Sequence, residues 1–308
     1  MQQKPLLGFT YALIAVLMWG MLPIAVKQLV TAMNSQTIVF YRFIAAAVGL
    51  SLFMAWRGNL PRLGQLNRRF YRYILLGIFG LSGNFFLFNL GLNYISASTS
   101  QVMGPLGSFM MLFASVKIFK EQMGAHQKIG LLILIIGLLM FFNDRFDDFA
   151  RMNLYFKGVL IAFIASVIWV VYGISQKMLL YKFSAQQILL VIYIGCALLF
   201  TPFADKGQVF TLTPFQFACL LFCCANTLIA YGCYAEALNL WEVSKVSAMM
   251  TQIPVFTIIF SELLFYLAPQ FFADQQLNTL SYCGAAFVVS GALFSAVGHK
   301  FFNRIRQG

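Results

Sequence analysis

The sequence predicts an all-α integral membrane protein: ten transmembrane helices arranged as two inverted five-helix repeats, with both termini cytoplasmic. Three observations carry this. Charged residues are only 10% of the 308, against about 25% in a soluble domain. Continuous apolar runs reach the ~20 residues that a bilayer-spanning helix needs. The chain also repeats itself. GFTYALIAVLMWGMLPIAVK (Gly8–Lys27) and GVLIAFIASVIWVVYGISQK (Gly158–Lys177) align at a constant shift of 150, which pairs Trp19 with Trp169 and Lys27 with Lys177. Carried to residue 47 without a gap, the shift yields 12 identities in 40 positions.

In lipid the backbone must satisfy its own hydrogen bonds, which leaves helices or a closed barrel. Unbroken apolar runs, without period-two alternation, exclude the barrel. The spans fall at about 7–28, 36–56, 72–92, 97–116, 127–143, 155–176, 185–202, 215–236, 243–266 and 278–298. The first is too long for a signal peptide, lacks a convincing cleavage site, and has an internal copy that no peptidase would remove. In the fourth and ninth spans a shift of 146 pairs Leu92-Asn93 with Leu238-Asn239, Ser98 with Ser244, Met103 with Met249 and Ser115 with Ser261. In the fifth and tenth, Gly130 and Gly137 match Gly284 and Gly291, seven apart in both. The repeats are therefore residues 1–150 and 151–308 of one membrane domain. Five spans is an odd number, so the second copy enters the bilayer upside down.

Charge supports that orientation independently. With the N-terminus inside, Lys27, Arg145, Arg151, Lys157 and Lys206 lie outside, Arg42 lies within a span, and the other 15 Lys and Arg lie inside. The acidic stretch Asp144–Asp148 lands outside. The net charge of +12 is thus spent on orientation and on inner-leaflet lipid headgroups, and no nucleic acid is expected as a partner. All six cysteines fall within spans of the second half and read as packing residues, without a disulfide framework.

Chemistry is sought among polar residues in helical register. Ser98, Gln101, Pro105, Ser108, Leu112 and Ser115 share a face of the fourth span. Ser244, Ser247, Thr251, Pro254, Ile258 and Ser261 share one of the ninth. Such stripes serve helix packing or line a polar path. Two matching stripes, each with a mid-membrane proline that frees carbonyls, favour the path, with Pro105 and Pro254 as hinges. Asn84 and Asn226 are costly against lipid and must face protein or water; Asn89, Tyr231 and Tyr234 flank them. Trp19 and Trp169 sit mid-span, where core packing and a shared central site are both open. Pro23 beside Trp19, and Tyr172 with Gly173 beside Trp169, suggest local irregularity. Arg42 and Glu262 lie at similar depth toward the outer side. An ion pair of Arg42 or Lys27 with Glu262 is the favoured reading. The alternatives make Glu262 a proton-coupling carboxylate or Arg42 a clamp for a substrate carboxylate. His126 and His299 fall at helix ends. Without HExxH, a P-loop, GxSxG or paired intramembrane aspartates, no enzyme, catalytic residue, metal site or cofactor is expected.

Two five-helix halves, a Trp near the middle of each half's first helix, LNYISAS (Leu92–Ser98) and IPVFTIIFSELL (Ile253–Leu264) resemble the EamA family of the drug/metabolite transporter superfamily. The resemblance implies a pseudo-twofold bundle whose first, third, fourth, sixth, eighth and ninth helices surround a substrate cavity. The fifth and tenth would lie outside it, often at subunit contacts, so a homodimer is an expected arrangement. Family members typically export small metabolites such as amino acids. Glu121 matches an acid typical after the fourth span, but its counterpart region, LAPQFF (Leu267–Phe272), lacks one.

Together these readings imply a secondary-type transporter, exporter or facilitator, in the cell inner or plasma membrane, moving a small organic metabolite by alternating access around a midplane site. Trp19, Asn84, Gln101, Trp169, Tyr172, Asn226, Tyr231 and Gln252 are the expected substrate contacts. A lipid-linked carrier flippase is the alternative.

Overall fold

A computed structural model describes residues 4–61, 68–120 and 122–298. Of the residues considered above, Arg62, Glu121, His299, Lys300, Arg304 and Arg306 lie outside the described residues, as do the side chains of Arg68, Arg69, Ser115 and Ser244. The described chain is helical, with no strand. The first half holds α1 (Pro5–Leu29), α2 (Ser35–Trp56), α3 (Arg68–Gly91), α4 (Ala97–Val102), α5 (Gly104–Phe119) and α6 (Ala125–Phe141). A single short helix, α7 (Phe146–Ala150), bridges the halves. The second half holds α8 (Leu154–Leu179), α9 (Ala185–Phe200), α10 (Pro214–Leu240), α11 (Val243–Met250), α12 (Ile253–Leu267) and α13 (Thr279–Val297). Eight segments are long and apolar enough to cross a membrane, and Ala125–Phe141 and Ala185–Phe200 are shorter apolar helices.

The helices begin where polar caps meet them. Asn153 accepts from the Tyr155 and Phe156 amides, while Ser184–Gln187 and Thr213–Gln216 form capping boxes. Each satisfies amide donors that the first helical turn leaves orphaned.

Contacts come in related pairs. Helix α1 packs along α10 as α3 packs along α8; α1 meets α12 as α5 meets α8; α2 meets α10 as α3 meets α9. The pairs α2–α9 and α6–α13 each join a helix to its own counterpart, and α4–α12 joins the two spans that are broken at prolines. Lipid tails are as apolar as the side chains, so close packing and hydrogen bonds hold such a bundle together. The α6–α13 seam shows this. A Cβ added at Gly130 would stand 2.6 Å from the Gly291 carbonyl oxygen, and one at Gly137 would stand 2.6 Å from the Val288 amide nitrogen. The matched glycines of the two copies thus face each other inside one chain. Asn143 closes that seam by donating to Ser281 Oγ at 3.1 Å, and Ser281 Oγ donates to the Phe141 carbonyl at 2.9 Å.

Both polar-striped helices are interrupted just before their prolines. The break at Met103 precedes Pro105, and that at Thr251-Gln252 precedes Pro254. A proline has no amide hydrogen and disfavours helical geometry in the residue before it, which accounts for a break at this place in each copy.

Candidate functional site at the broken helices

The site is built on one turn of α1. Pro23 offers no amide to the Trp19 carbonyl four residues earlier, which leaves that oxygen outside the helix ladder. Gln101 Nε2, from α4, donates to it at 3.2 Å. The flanking carbonyls are engaged as well. Asn226 Nδ2, from α10, donates to the Met18 oxygen. Thr257 Oγ1, from α12, donates to the Gly20 oxygen at 2.8 Å. Three other helices are therefore tied to three consecutive carbonyls, two of them from segments abutting the helix breaks.

The Trp19 indole sits on the same turn. Its ring meets Tyr231 edge-on at 5.2 Å between centroids and Tyr234 at 5.6 Å. The edge-to-face geometry suits the ring quadrupoles. Trp169 lies against α5, where a Cβ at Gly107 would be 3.5 Å from its ring. It joins Tyr231 and the buried Tyr172 in a cluster with Phe85 and Tyr193. Asn84 Nδ2 donates to the Ala165 carbonyl on α8 at 3.0 Å, so this amide bonds helix to helix. Gln252 caps α12, half-buried, with Nε2 donating to Thr251 Oγ1 at 3.2 Å. Trp19, Gln101, Asn226 and Tyr231 are thus brought together directly. Trp169 and Tyr231 pack against the same buried cluster, which includes Tyr172, while Asn84 and Gln252 serve neighbouring seams.

The ion pair expected for Glu262 is overturned. Glu262 accepts a hydrogen bond from the Tyr282 hydroxyl at 2.7 Å in an exposed setting. Arg42 is 1% exposed and donates from Nε to Thr227 Oγ1 at 3.0 Å. Lys27 Nζ donates to the carbonyls of Leu92 and Ile95, beyond the end of α3. The reason is topological: α2 packs on α9, α10 and α3, whereas α12 packs on α1, α4 and α13. Similar depth in the membrane did not mean the same side of the bundle.

Several buried polar atoms have no partner: both amide atoms of Asn89, Asn226 Oδ1, Arg42 Nη1, and the hydroxyls of Ser98, Ser175 and Ser261. Each such group costs about 1–3 kcal/mol. They are spread over six helices, with Ser98 and Ser261 on the segments at the breaks and Asn226 at the α1 turn. Sequence reasoning missed Thr257, Thr227 and Phe85. No signal in the chain marked Thr257, because Pro23 orphans only the Trp19 carbonyl, which Gln101 fills, while Thr257 bonds the Gly20 oxygen.

Among the described residues the molecule is a helical bundle with eight segments able to cross a membrane and paired helix breaks around a polar turn, a form that transporters use. The chain belongs to the EamA-like transporter family, whose model matches it twice, over residues 6–143 and 156–297. An "uncharacterized transporter" of Haemophilus influenzae is 54% identical over 97% of this chain and 98% of its own length. The "uncharacterized inner membrane transporter YhbE" of Escherichia coli K12 is 42% identical over all of this chain and 96% of its own. One solved crystal structure, 18% identical, shares the fold with a TM-score of 0.61 over 94% of this chain and 95% of that one.

Proposed function

We propose that this protein is a secondary-type transporter of the inner membrane, exporting or equilibrating small organic metabolites, amino acids among them, by alternating access around the α1 turn. The two shorter apolar helices complete ten spans, arranged as two oppositely oriented repeats within residues 1–150 and 151–308. Both termini face the cytoplasm, as the bias of Lys and Arg requires.

The observation that carries this reading is the convergence of Gln101, Asn226 and Thr257 on the carbonyls of Met18, Trp19 and Gly20. Discontinuous helices with irregular backbone near mid-membrane are how transporters present polar groups to a solute without exposing them to lipid. Two of these bonds, from Asn226 and Thr257, cross between the halves, so rocking one half against the other exchanges them for contacts to solvent or substrate, while Gln101 braces the turn from within the first half. Trp19 and Tyr231 supply ring surface, Gln101 and Asn226 supply amides, and Pro105 and Pro254 mark where the helices bend. The enclosing surface includes Trp169 and Tyr172, with Asn84 and Gln252 behind it.

Counterflow in proteoliposomes tests it, using a panel of amino acids and nucleosides with and without a pH gradient. Exchange of at least one labelled solute is expected. A fully reconstituted protein that exchanges none would overturn the transporter reading.

A further inference from the structure

We propose that Arg42 is the substrate-recognition residue and that the substrate class is a small organic monoanion, held by its carboxylate. This rests on the transporter reading above and names the chemistry of that same site. Arg42 is 1% exposed, yet among the described residues no carboxylate pairs with it; the titratable side chains near it are the thiols of Cys223 and Cys224 and the phenols of Tyr193 and Tyr231. Asp144 and Asp148 meet Arg145, Glu242 meets Lys245, and Glu262 accepts from Tyr282, Glu236 from Gln186, Asp205 from the Gly207 amide and Asp274 from the Gln276 amide. A buried cation normally has a carboxylate partner, because desolvating an unpaired ion is costly. The Phe85 ring, 4.4 Å from the guanidinium carbon, recovers only part of that cost.

The guanidinium is anchored but not saturated. Nε donates to Thr227 Oγ1, whose own hydroxyl donates a hydrogen bond to the Cys223 carbonyl at 2.9 Å. Nη1 is buried without a partner. Thr227 therefore fixes the fork through one nitrogen and leaves another to bind an acceptor. The rings run from this group to the α1 turn. Phe85 is 6.4 Å from Tyr231, Tyr193 is 6.3 Å from Tyr231, and Tyr231 is 5.2 Å from Trp19. A solute with its apolar body on Trp19 and Tyr231 would present its anionic end to Arg42 once the halves part.

One cation matches one negative charge. Lys27, the other half-buried cation of this region, is spent on backbone carbonyls. The site would neutralise a carboxylate and leave a dianionic phosphate half uncompensated. A solute carrying only a positive charge would be repelled.

The test uses the purified full-length protein and a series of matched shape: phenylacetate, phenylacetamide, phenethylamine and phenylphosphonate. Thermal stabilisation in detergent and competition in counterflow are the readouts. Phenylacetate alone is expected to act. Arg42→Gln should weaken its action by about tenfold or more, as loss of a charge-assisted hydrogen bond does, and Arg42→Lys should retain part of it. Equal action by phenylacetamide or phenethylamine, no response to phenylacetate, or an undiminished response in Arg42→Gln would overturn the proposal. If Arg42→Gln fails to insert, the wild-type series decides alone. Protection by phosphatidylglycerol in nanodiscs, without protection by phenylacetate, would assign the charge to a lipid headgroup and also overturn it. Carboxylate binding without exchange of any solute would sink the transporter reading and leave the anion site standing. Exchange of amines only would do the reverse.

Discussion

Helices α1 and α8 descend from one unit, share Trp and Lys at matching positions, and yet are held in the bundle quite differently. On α1, Pro23 opens the backbone, and three helices bond to the exposed turn. At the matching position α8 has Gly173, whose nearest neighbour is the Met111 thioether, 3.4 Å from an added Cβ. Where α12 offers Thr257 to α1, its counterpart on α5 is Met111, a side chain that cannot donate. The terminal lysines diverge too: Lys27 is half-buried on the carbonyls beyond α3, while Lys177 is exposed. Duplication supplied a symmetric scaffold, and these substitutions make the α1 turn the more heavily bonded wall, with three interhelical bonds to its carbonyls where α8 accepts the one from Asn84. Interhelical bonds in bilayers are modest, averaging about 0.6 kcal/mol with a maximum near 1.7. Three on one turn are therefore enough to bias which wall moves without locking either.

The largest contrast lies between the lysines. Lys27→Met removes charge-assisted bonds to Leu92 and Ile95 in a half-buried setting, at about 1.5–3 kcal/mol each way the network is counted. Lys177→Met, at an exposed position where interactions are screened by solvent, is expected to cost no more than about 1 kcal/mol. Thermal unfolding of both variants in the same detergent decides it. Equal destabilisation would mean that the two copies are braced alike, and the asymmetry drawn above would fail.

The amides come next. Asn226→Leu removes the donor to Met18 and, with it, the unpartnered Oδ1. Losing an interhelical bond of the magnitude above shifts a two-state access equilibrium by about three- to twentyfold. The fold should survive, because leucine fills the space and relieves a buried orphan. Asn84→Leu breaks one bond to the Ala165 carbonyl in a less buried place, and a shift nearer the lower limit is expected. Solvent-accessibility labelling of single cysteines on α4 and α12 reports the equilibrium. A larger response from Asn84 than from Asn226 would reverse the assignment of tight and loose walls.

How much of this was legible in the sequence divides along a physical line. The duplication was legible because a shared Trp and Lys at fixed spacing survive in a composition where most apolar identities are noise. The breaks before Pro105 and Pro254 were legible because the missing amide of proline acts within its own turn. Its effect does not wait on tertiary structure. Arg42 and Glu262 were misread as partners because depth along a helix is encoded in one dimension, whereas facing requires knowing which helices neighbour each other. The Tyr282 partner of Glu262, on α13, could be named only once α12 and α13 were seen to pack. Seven-residue glycine spacing in the fifth and tenth spans revealed the duplication, but not that those two helices would pack on each other within one chain. The convergence on α1 falls between these cases. Pro23 announces an orphan carbonyl on Trp19, and only the packing shows that Gln101 reaches it.

The smallest effect tests the origin of the asymmetry. Pro23→Ala returns an amide to the Trp19 carbonyl, which then competes with Gln101 for the same oxygen. Helix propensity alone would favour alanine by about 3 kcal/mol, but the native bonds on this turn already recover much of the proline's cost. A net gain of about 1 kcal/mol is expected, with slower exchange between the access states. Gly173→Ala, at the equivalent place on α8, meets only the edge of ordinary contact with Met111. It should gain about 0.5–1 kcal/mol from backbone entropy and leave exchange rates unchanged. Stability then rises in both variants while kinetics change in only one, and that separation identifies bonding at the opened turn, rather than helix stiffness, as what sets the pace. If Gly173→Ala slowed exchange as much as Pro23→Ala, stiffness alone would account for both, and the opened turn of α1 would lose its special place.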